Sequence, residues 1–407
     1  MLPSVIQLLL AAVWLLLFRY CQIHSYADPT SYFFDEQRAL ALEYTAVRER
    51  EAEDFLEFAA TATRNDTGVG VPTSNRICLG IPSVRREREQ FFARTIASLV
   101  DSIGAQERQL LYIVVLLADE DPQLNPAYGQ QWVDYIADEV LVYADPAGPP
   151  GGSSRYRRLE AKQAALTRDQ HMRLDYANLM DACVARDSDY FVLLEDDVMT
   201  SRDWLARLRG ALAQMAAATG RRDWLYLRLF HAEMYLGWNA EEWPSYLAHA
   251  LVVYLAAGTV ALLLRRRATG GAPLRLVKAG RLQSRPLMAL LRFNFWFCAF
   301  TLLYFKAGRI TVGRYGEGVH EMDKYGCCAQ GLAFPSRHLQ TLSSAFRATE
   351  RDLPVDSLIE AVADERGLGR WMMVPSVLQH VGARGSSAAG GSLKTTLNYS
   401  FERQHSS

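Results

Sequence analysis

The sequence predicts an α/β domain with a mostly parallel sheet, interrupted by two membrane helices and preceded by a third. Short apolar runs alternating with helical patterns predict the sheet, and three longer apolar runs with a basic loop between the last two predict the membrane segments. The 407 residues are 50% apolar and 11% aromatic, which excludes a disordered chain and allows a large core. The net charge of −1 argues against a nucleic-acid-binding protein, which needs a basic excess.

The first apolar run covers residues 5–18, and we interpret it as an uncleaved membrane anchor. It is shorter than the roughly 17–25 residues of a typical span. A cleavable signal peptide is the alternative, because Ser25 and Ala27 supply the small residues of a cleavage site. No Lys or Arg precedes the run, which argues against a signal peptide.

The second and third apolar runs cover residues 247–264 and 287–305, each close to one bilayer crossing. The third run contains Arg292 and Asn294, which must reach the interface or find a partner to be stable in lipid. The alternative is a pair of buried core helices.

The loop at 265–286 determines the predicted topology, because it carries seven basic residues and no acidic one. The basic residues are Arg265, Arg266, Arg267, Arg275, Lys278, Arg281 and Arg285. Such a loop is typical of the cytosolic side of a membrane, which places 19–246 and 306–407 in the lumen and the N-terminus in the cytosol. The glycosylation sequons at Asn65 and Asn398 both fall in these lumenal stretches.

The predicted organisation has five segments. They are an N-terminal anchor (1–19), a stem helix (20–70), the first part of the α/β domain (71–246), a membrane hairpin with its cytosolic loop (247–305), and the second part of the domain with a flexible tail (306–407). Strands are predicted at 76–81, 110–118, 139–143, 190–194 and 224–230, and helices at 86–102 and 159–186. Since neighbouring helices lie roughly 8–10 Å apart, the chain leaves and re-enters the domain at nearly one point, and the domain tolerates the insertion. This predicts an active site close to the membrane surface.

Three consecutive acids, Glu195, Asp196 and Asp197, follow the apolar strand at 190–194. The strand places them at the carboxyl edge of the sheet, where open α/β sheets bind ligands. Three adjacent carboxylates repel one another, and a divalent cation relieves this repulsion. Their oxygen ligands suit Mn²⁺, with Mg²⁺ as the alternative, and such an ion would bind a diphosphate. The structural alternative is a solvated acidic turn or helix cap before a helix predicted at 198–208.

Two further residues carry weaker signals. His380 follows a short apolar segment, and its imidazole is able to bind Mn²⁺, although a lone histidine is more often a surface or core residue. Asp356 suits a general base beside a substrate hydroxyl, but its position favours a helix cap or a first-turn acid.

The segments IPSVRRE (81–87), LDYANLMDAC (174–183), YFVLLEDDV (190–198) and PSVLQHVG (375–382) resemble the N-glycan-branching N-acetylglucosaminyltransferases of the fourth branching type. These are Golgi type II glycosyltransferases with the GT-A fold. They lack an internal membrane hairpin. The whole plan, a GT-A domain interrupted by a tandem span, resembles the Golgi transferases that add N-acetylgalactosamine (GalNAc) side chains to GPI anchors after attachment.

This resemblance implies a metal-dependent, inverting transfer of GalNAc from UDP-GalNAc to the first mannose of a GPI-anchor glycan. It implies GPI-anchored proteins and membrane lipid as partners, and a multi-pass Golgi membrane protein with a lumenal catalytic domain. The implied roles are nucleotide-sugar binding by Arg86, Asp119, Glu195 and Asp196, metal binding by Asp197 and His380, and general base catalysis by Asp356.

Three other functions remain open from the sequence. The first is a GT-A GlcNAc transferase acting on N-glycans, and the second is a non-catalytic membrane receptor or cargo adaptor. A metal-dependent phosphodiesterase is the third, but the 8 histidines form no close cluster with other ligands in the sequence. Disulfide pairing among the lumenal cysteines Cys78, Cys183, Cys327 and Cys328 is also left open.

Overall fold

A computed structural model describes residues 2–39, 43–63, 76–143, 155–162, 165–217, 223–268, 284–313, 315–322, 328–348, 353–382 and 397–405. Asn65, Cys327 and most of the predicted tail lie outside these residues. The chain divides into two compact units. The first comprises residues 1–40 and 236–314, and the second comprises residues 41–235 and 315–407.

The helices are α1 (Leu2–His24), α2 (Glu36–Ala39), α3 (Glu43–Ala59), α4 (Phe92–Ser98), α5 (Ala105–Arg108), α6 (Gln131–Ile136), α7 (Arg168–Val184), α8 (Trp204–Ala217), α9 (Trp243–Ala268), α10 (Ser284–Ala307), α11 (Arg309–Val312), α12 (Leu339–Arg347), α13 (Val355–Arg366) and α14 (Phe401–Gln404). The strands are β1 (Ile77–Ser83), β2 (Leu111–Leu117), β3 (Glu139–Tyr143), β4 (Tyr156–Leu159), β5 (Tyr190–Leu194), β6 (Val198–Thr200), β7 (Trp224–Arg228), β8 (Gly318–Glu321), β9 (Gly331–Pro335), β10 (Gly369–Val374) and β11 (Leu378–His380).

Three helical segments, which lie almost entirely in the first unit, are long and apolar enough to cross a membrane, judged by length and composition. These segments are Val5–His24, Glu233–Arg267 and Leu287–Ala307, with mean hydropathies of 1.7, 2.2 and 1.5. Within this unit the Trp14 indole of α1 donates to the carbonyl of Ala299 in α10 (3.1 Å). The Tyr254 hydroxyl of α9 donates to the Asn294 side chain (2.8 Å), so this polar group of α10 has the partner that an apolar helix requires.

The second unit is built on a nine-stranded sheet with the order β4-β3-β2-β1-β5-β9-β7-β10-β8. The strands β4, β3, β2, β1 and β5 are parallel to their neighbours, and so are β7 and β10. However, β9 runs antiparallel between β5 and β7, and β8 runs antiparallel to β10. The sheet is therefore mixed, with a parallel half that contains most of the strands expected from the sequence.

Apolar clusters cover both faces of the sheet, which explains why its strands are nearly continuous apolar runs. In β1, Leu79 and Ile81 face the cluster that contains α4 and α8, and Cys78 faces the cluster that contains α7. Cys78 forms a disulfide with Cys183 of α7, with a Cα–Cα distance of 5.7 Å. The bond joins the central strand to the helix that packs on it.

The helices predicted at 86–102, 159–186 and 198–208 all begin later in the structure, the first of them as α4 at Phe92. Residues 198–200 form β6 instead of a helix, because they pair with β11 from the far end of the chain, and α8 begins at Trp204. Residues 156–159 form the edge strand β4, and α7 begins only after Thr167. The Thr167 hydroxyl accepts from the backbone N–H of Gln170 (3.3 Å), a helix cap that marks the start of α7.

Helix α3, within the segment interpreted as a stem, is packed into the second unit. The side chain of Arg48 is 1% exposed, and its guanidinium donates to the carbonyl of Thr200 (2.9 Å) and to Asp101 (2.7 Å). The backbone N–H of Thr45 donates to Glu402 near the C-terminus (3.0 Å). This part of the chain is therefore a component of the folded unit and not a free tether.

The sequon at Asn398 is buried, so we expect no N-glycan there in the folded protein. The Asn398 side chain is 0% exposed, and its Nδ2 donates to the carbonyl of His231 (3.0 Å). A glycan attached to Nδ2 would require this nitrogen to be free of its hydrogen bond and exposed to solvent. The Asn398→Gln variant and the wild type should show the same shift in gel mobility after glycosidase treatment. A glycopeptide carrying Asn398 would contradict this.

Candidate active site

The carboxyl ends of β1 and β5 lie side by side at the point where the strand order reverses. From β1 the chain adds β2, β3 and β4 on one side and then crosses to β5 on the other. Ligands of open α/β sheets bind in the crevice at such a point. A cavity of about 850 Å³ opens at this edge. All seven residues singled out from the sequence line the cavity: Arg86, Asp119, Glu195, Asp196, Asp197, Asp356 and His380.

Pairing of β6 with β11 brings His380 to the acidic triplet. In this two-stranded sheet His380 lies opposite Val198, the residue after Asp197. Its Nε2 is 3.3 Å from Asp197 Oδ2, and the backbone N–H of Val381 donates to the Asp197 carbonyl (2.9 Å). Gly382 packs so closely that an added Cβ would lie 2.1 Å from Asp197 Oδ2. The segment around His380 thus encloses Asp197, and only glycine fits at 382.

Glu195, Asp197 and His380 form a group that fits a divalent cation. Each offers one ligand atom, and these atoms all lie within 4.8 Å of one another. Asp197 Oδ1 and His380 Nδ1 are buried and have no hydrogen-bond partner within the residues that the structure describes. Two carboxylates and an imidazole are ligands that Mn²⁺ accepts, and buried polar atoms without partners suit metal coordination better than a packed core.

Arg86, in the loop after β1, connects the two sides of the crevice. Its guanidinium forms ion pairs with Asp196 and with Asp197 (3.0 Å to Oδ2). Burial raises the pKa of Asp196, although the positive charge of Arg86 acts against this. Arg86 therefore provides positive charge at the carboxylate cluster, where a diphosphate would also need it.

The three candidate metal ligands differ in their ionisation. Burial raises the pKa of Glu195 to about 8, and the nearby charge of Asp197 adds to this effect. Burial also opposes ionisation of Asp197, but the hydrogen bond and charge of His380 prevail and lower its pKa. Burial disfavours the charged form of His380, yet the bond to Asp197 raises its pKa. Asp197 is thus the carboxylate that stays ionised most readily, which suits a direct metal ligand.

Asp119 and Asp356 both line the cavity but have different surroundings. The Asp119 carboxylate accepts from the backbone N–H of Arg85 (3.1 Å) and from Asn125 (2.8 Å), so it holds the loop after β1 in place. Asp356 lies in the first turn of α13, where its carboxylate accepts from the N–H of Ser357 (2.7 Å). Both positions are compatible with the roles predicted for them, which stay predictions.

Helix α7 contributes cavity residues to which the sequence reasoning assigned no role. Asp175 accepts from the Tyr143 hydroxyl and lies 3.3 Å from Lys162 Nζ, and both charged side chains are largely buried. Burial raises the pKa of Asp175, although Lys162 acts against this. Asp175 and Tyr176 belong to the segment LDYANLMDAC, so the resemblance contained a signal for them.

The C-terminal segment holds β11 from its other side. Gln379, next to His380, exchanges two hydrogen bonds with the backbone of Asn398 (2.9 and 3.0 Å). Its Nε2 also lies 3.3 Å from Glu402. Nothing in the local sequence indicated that residues near the C-terminus position the histidine, because this contact depends on the tertiary fold.

Residues 77–379 match the sequence profile of the family described as GPI-N-acetylgalactosamine transferase PGAP4. The chain belongs to this glycosyltransferase family. It is also 27% identical over 181 residues to the alpha-1,3-mannosyl-glycoprotein 4-beta-N-acetylglucosaminyltransferase B of Mus musculus, covering 43% of this chain and 31% of that protein. The C enzyme of Mus musculus is 26% identical over 186 residues, covering 44% of this chain and 37% of that enzyme. The matches thus span about a third of the length of these curated relatives.

The mannosyltransferase PcManGT from Pyrobaculum calidifontis, in complex with GDP-Man and Mn²⁺, aligns with a TM-score of 0.23 and 14% identity, covering 47% of this chain and 46% of that chain.

Proposed function

We propose that the protein transfers GalNAc from UDP-GalNAc to the first mannose of a GPI-anchor glycan, on the lumenal side of the Golgi membrane. The family match over residues 77–379 carries this proposal, because its description contains both the sugar and the GPI acceptor. The cavity at the carboxyl edge, with its carboxylates and histidine, supports the assignment by providing a site of the required chemistry. Three helices able to cross a membrane suit an enzyme whose acceptor is itself anchored in lipid.

The proposed reaction is a single displacement with inversion. An acceptor hydroxyl attacks the anomeric carbon of GalNAc, the bond from that carbon to the UDP oxygen breaks, and UDP leaves. Glu195, Asp197 and His380 would hold a Mn²⁺ ion, which would neutralise charge on the diphosphate. Arg86, in the same cavity, would add positive charge beside the leaving group.

Asp356 is the proposed general base. It would accept the proton of the acceptor hydroxyl as the new glycosidic bond forms. Its side chain is partly exposed at the cavity wall, in the first turn of α13. Burial of Val355 and Leu358 on either side of it fixes the helix against the core.

The decisive test is which sugar donor the protein uses, because the curated relatives are N-acetylglucosaminyltransferases by name. The full-length protein, purified in detergent and freed of metal with EDTA, is incubated with a GPI-anchored acceptor and either UDP-GalNAc or UDP-GlcNAc. We expect transfer only from UDP-GalNAc, and only after Mn²⁺ is restored.

Each outcome of this assay separates two functions. Turnover with UDP-GlcNAc alone would contradict the proposed donor and favour a GlcNAc transferase. Full turnover in EDTA would contradict the metal site. Absence of transfer from either donor, in a protein that retains its melting temperature, would favour a receptor or adaptor.

A further inference from the structure

Tyr176 of α7 is a buried aromatic residue whose polar end faces the cavity. Its side chain is 3% exposed, and its ring lies in the apolar cluster on the α7 face of the sheet, 6.4 Å from the ring of Phe346. Tyr176 is nevertheless a lining residue of the cavity. Its hydroxyl forms no hydrogen bond within the part of the chain that the structure describes. The hydroxyl is therefore a free donor at the cavity wall, available to a ligand.

The hydroxyl lies among carboxylates, which determines how it can bond. Burial raises the pKa of Tyr176 well above its usual value, and the charges of Glu195, Asp196, Asp175 and Asp197 add to this effect. The group therefore stays protonated and neutral and is able to donate a hydrogen bond. Three of these four carboxylates belong to the triplet at the proposed metal site, and all four line the same cavity as Tyr176.

Two basic groups that line the cavity are engaged in ion pairs. Arg86 is paired with Asp196 and Asp197, and Lys162 is paired with Asp175, while Arg168 and His171 also line the cavity. A diphosphate beside the acidic triplet would gain from a donor that does not have to be released from an ion pair. The Tyr176 hydroxyl is such a donor, and its rigid, packed ring fixes its direction.

We propose that the Tyr176 hydroxyl donates a hydrogen bond to the diphosphate of the sugar-nucleotide donor. This inference rests on the proposed function, since it assumes a nucleoside-diphosphate sugar as donor. It makes Tyr176 a substrate-contacting residue, distinct from the residues that would hold the metal.

Tyr176→Phe removes only the hydroxyl and tests the proposal by equilibrium binding. Calorimetric titrations of the full-length protein in Mn²⁺ are carried out with UDP and with uridine, which lacks the diphosphate. We expect the dissociation constant for UDP to rise about tenfold, as for a lost hydrogen bond to a charged group, and that for uridine to stay unchanged. Tyr190→Phe is the matched control. Tyr190 begins β5, at the opposite end of the strand from the acidic triplet, and its variant should bind UDP like the wild type.

Several results would overturn the proposal. Equal UDP affinity in Tyr176→Phe and the wild type would exclude the hydrogen bond. An equal loss of uridine affinity would point to a distorted cavity, and a loss of Mn²⁺ affinity without nucleotide would point to support of the metal ligands. A wild-type protein that binds no UDP would refute both this inference and the proposed donor. A wild type that binds UDP in the expected pattern but transfers no GalNAc would refute the proposed function alone.

Discussion

Asp197→Asn should abolish sugar transfer, with kcat/KM reduced by about 10³-fold. The substitution keeps the size of the side chain but removes the charge that faces Arg86 and His380. Glu195 would then be the only carboxylate left among the three groups whose ligand atoms lie within 4.8 Å of one another. The measurements are kcat/KM for the sugar donor and the Mn²⁺ dissociation constant, which should rise in parallel with the loss of activity.

Asp187→Asn provides the control for this prediction. Asp187 is exposed in the turn before β5, so the same chemical change is made at the other end of the strand that carries the acidic triplet. Asparagine tolerates the positive φ of 51° at this position, and the variant should retain wild-type activity and Mn²⁺ affinity. Full activity in Asp197→Asn, with unchanged Mn²⁺ binding, would rule out the proposed metal site.

Removal of the Cys78–Cys183 disulfide should cause a large loss of folding stability. The bond links residues 105 positions apart, and both cysteines are buried. Closing a loop of this length restricts the unfolded chain, and its loss costs about 4 kcal/mol. In the double variant Cys78→Ala with Cys183→Ala, we expect a melting temperature roughly 10 °C below that of the wild type.

Cys298→Ala is the control for the disulfide variant. Cys298 is a free, exposed cysteine of α10, so its replacement removes a thiol without breaking a bond. Its melting temperature should match that of the wild type. If the double variant melted at the wild-type temperature, the link between β1 and α7 would be dispensable for stability.

Strands in the parallel half of the sheet could be predicted from the sequence because they are buried on both faces. β1, β2, β3 and β5 are short apolar runs bounded by polar residues. Their side chains must be buried wherever the strands lie in the sheet. The acidic triplet could be located for the same reason, since it directly follows such a strand.

Short and peripheral strands could not be predicted in this way. β6 has three residues and reads equally well as the start of a helix. Its conformation depends on pairing with β11, about 180 positions later in the chain. β9 also enters the sheet from the second part of the chain, and its antiparallel direction makes the sheet mixed. No local pattern reports such pairings, because register is set by the partner strand.

Burial and ligand chemistry act on each residue locally, so the apolar segments, the central strands and the residue types of the site can be recognised in the sequence. In contrast, long-range contacts place His380 beside Asp197, bring Arg86 across the crevice to Asp196 and bury Asn398. Folding also placed Tyr176 in the wall of the cavity that the carboxylates line. These contacts join residues far apart in the chain, so they exist only after folding has closed the intervening loops. Burial of apolar surface compensates the conformational entropy that is lost when these loops close.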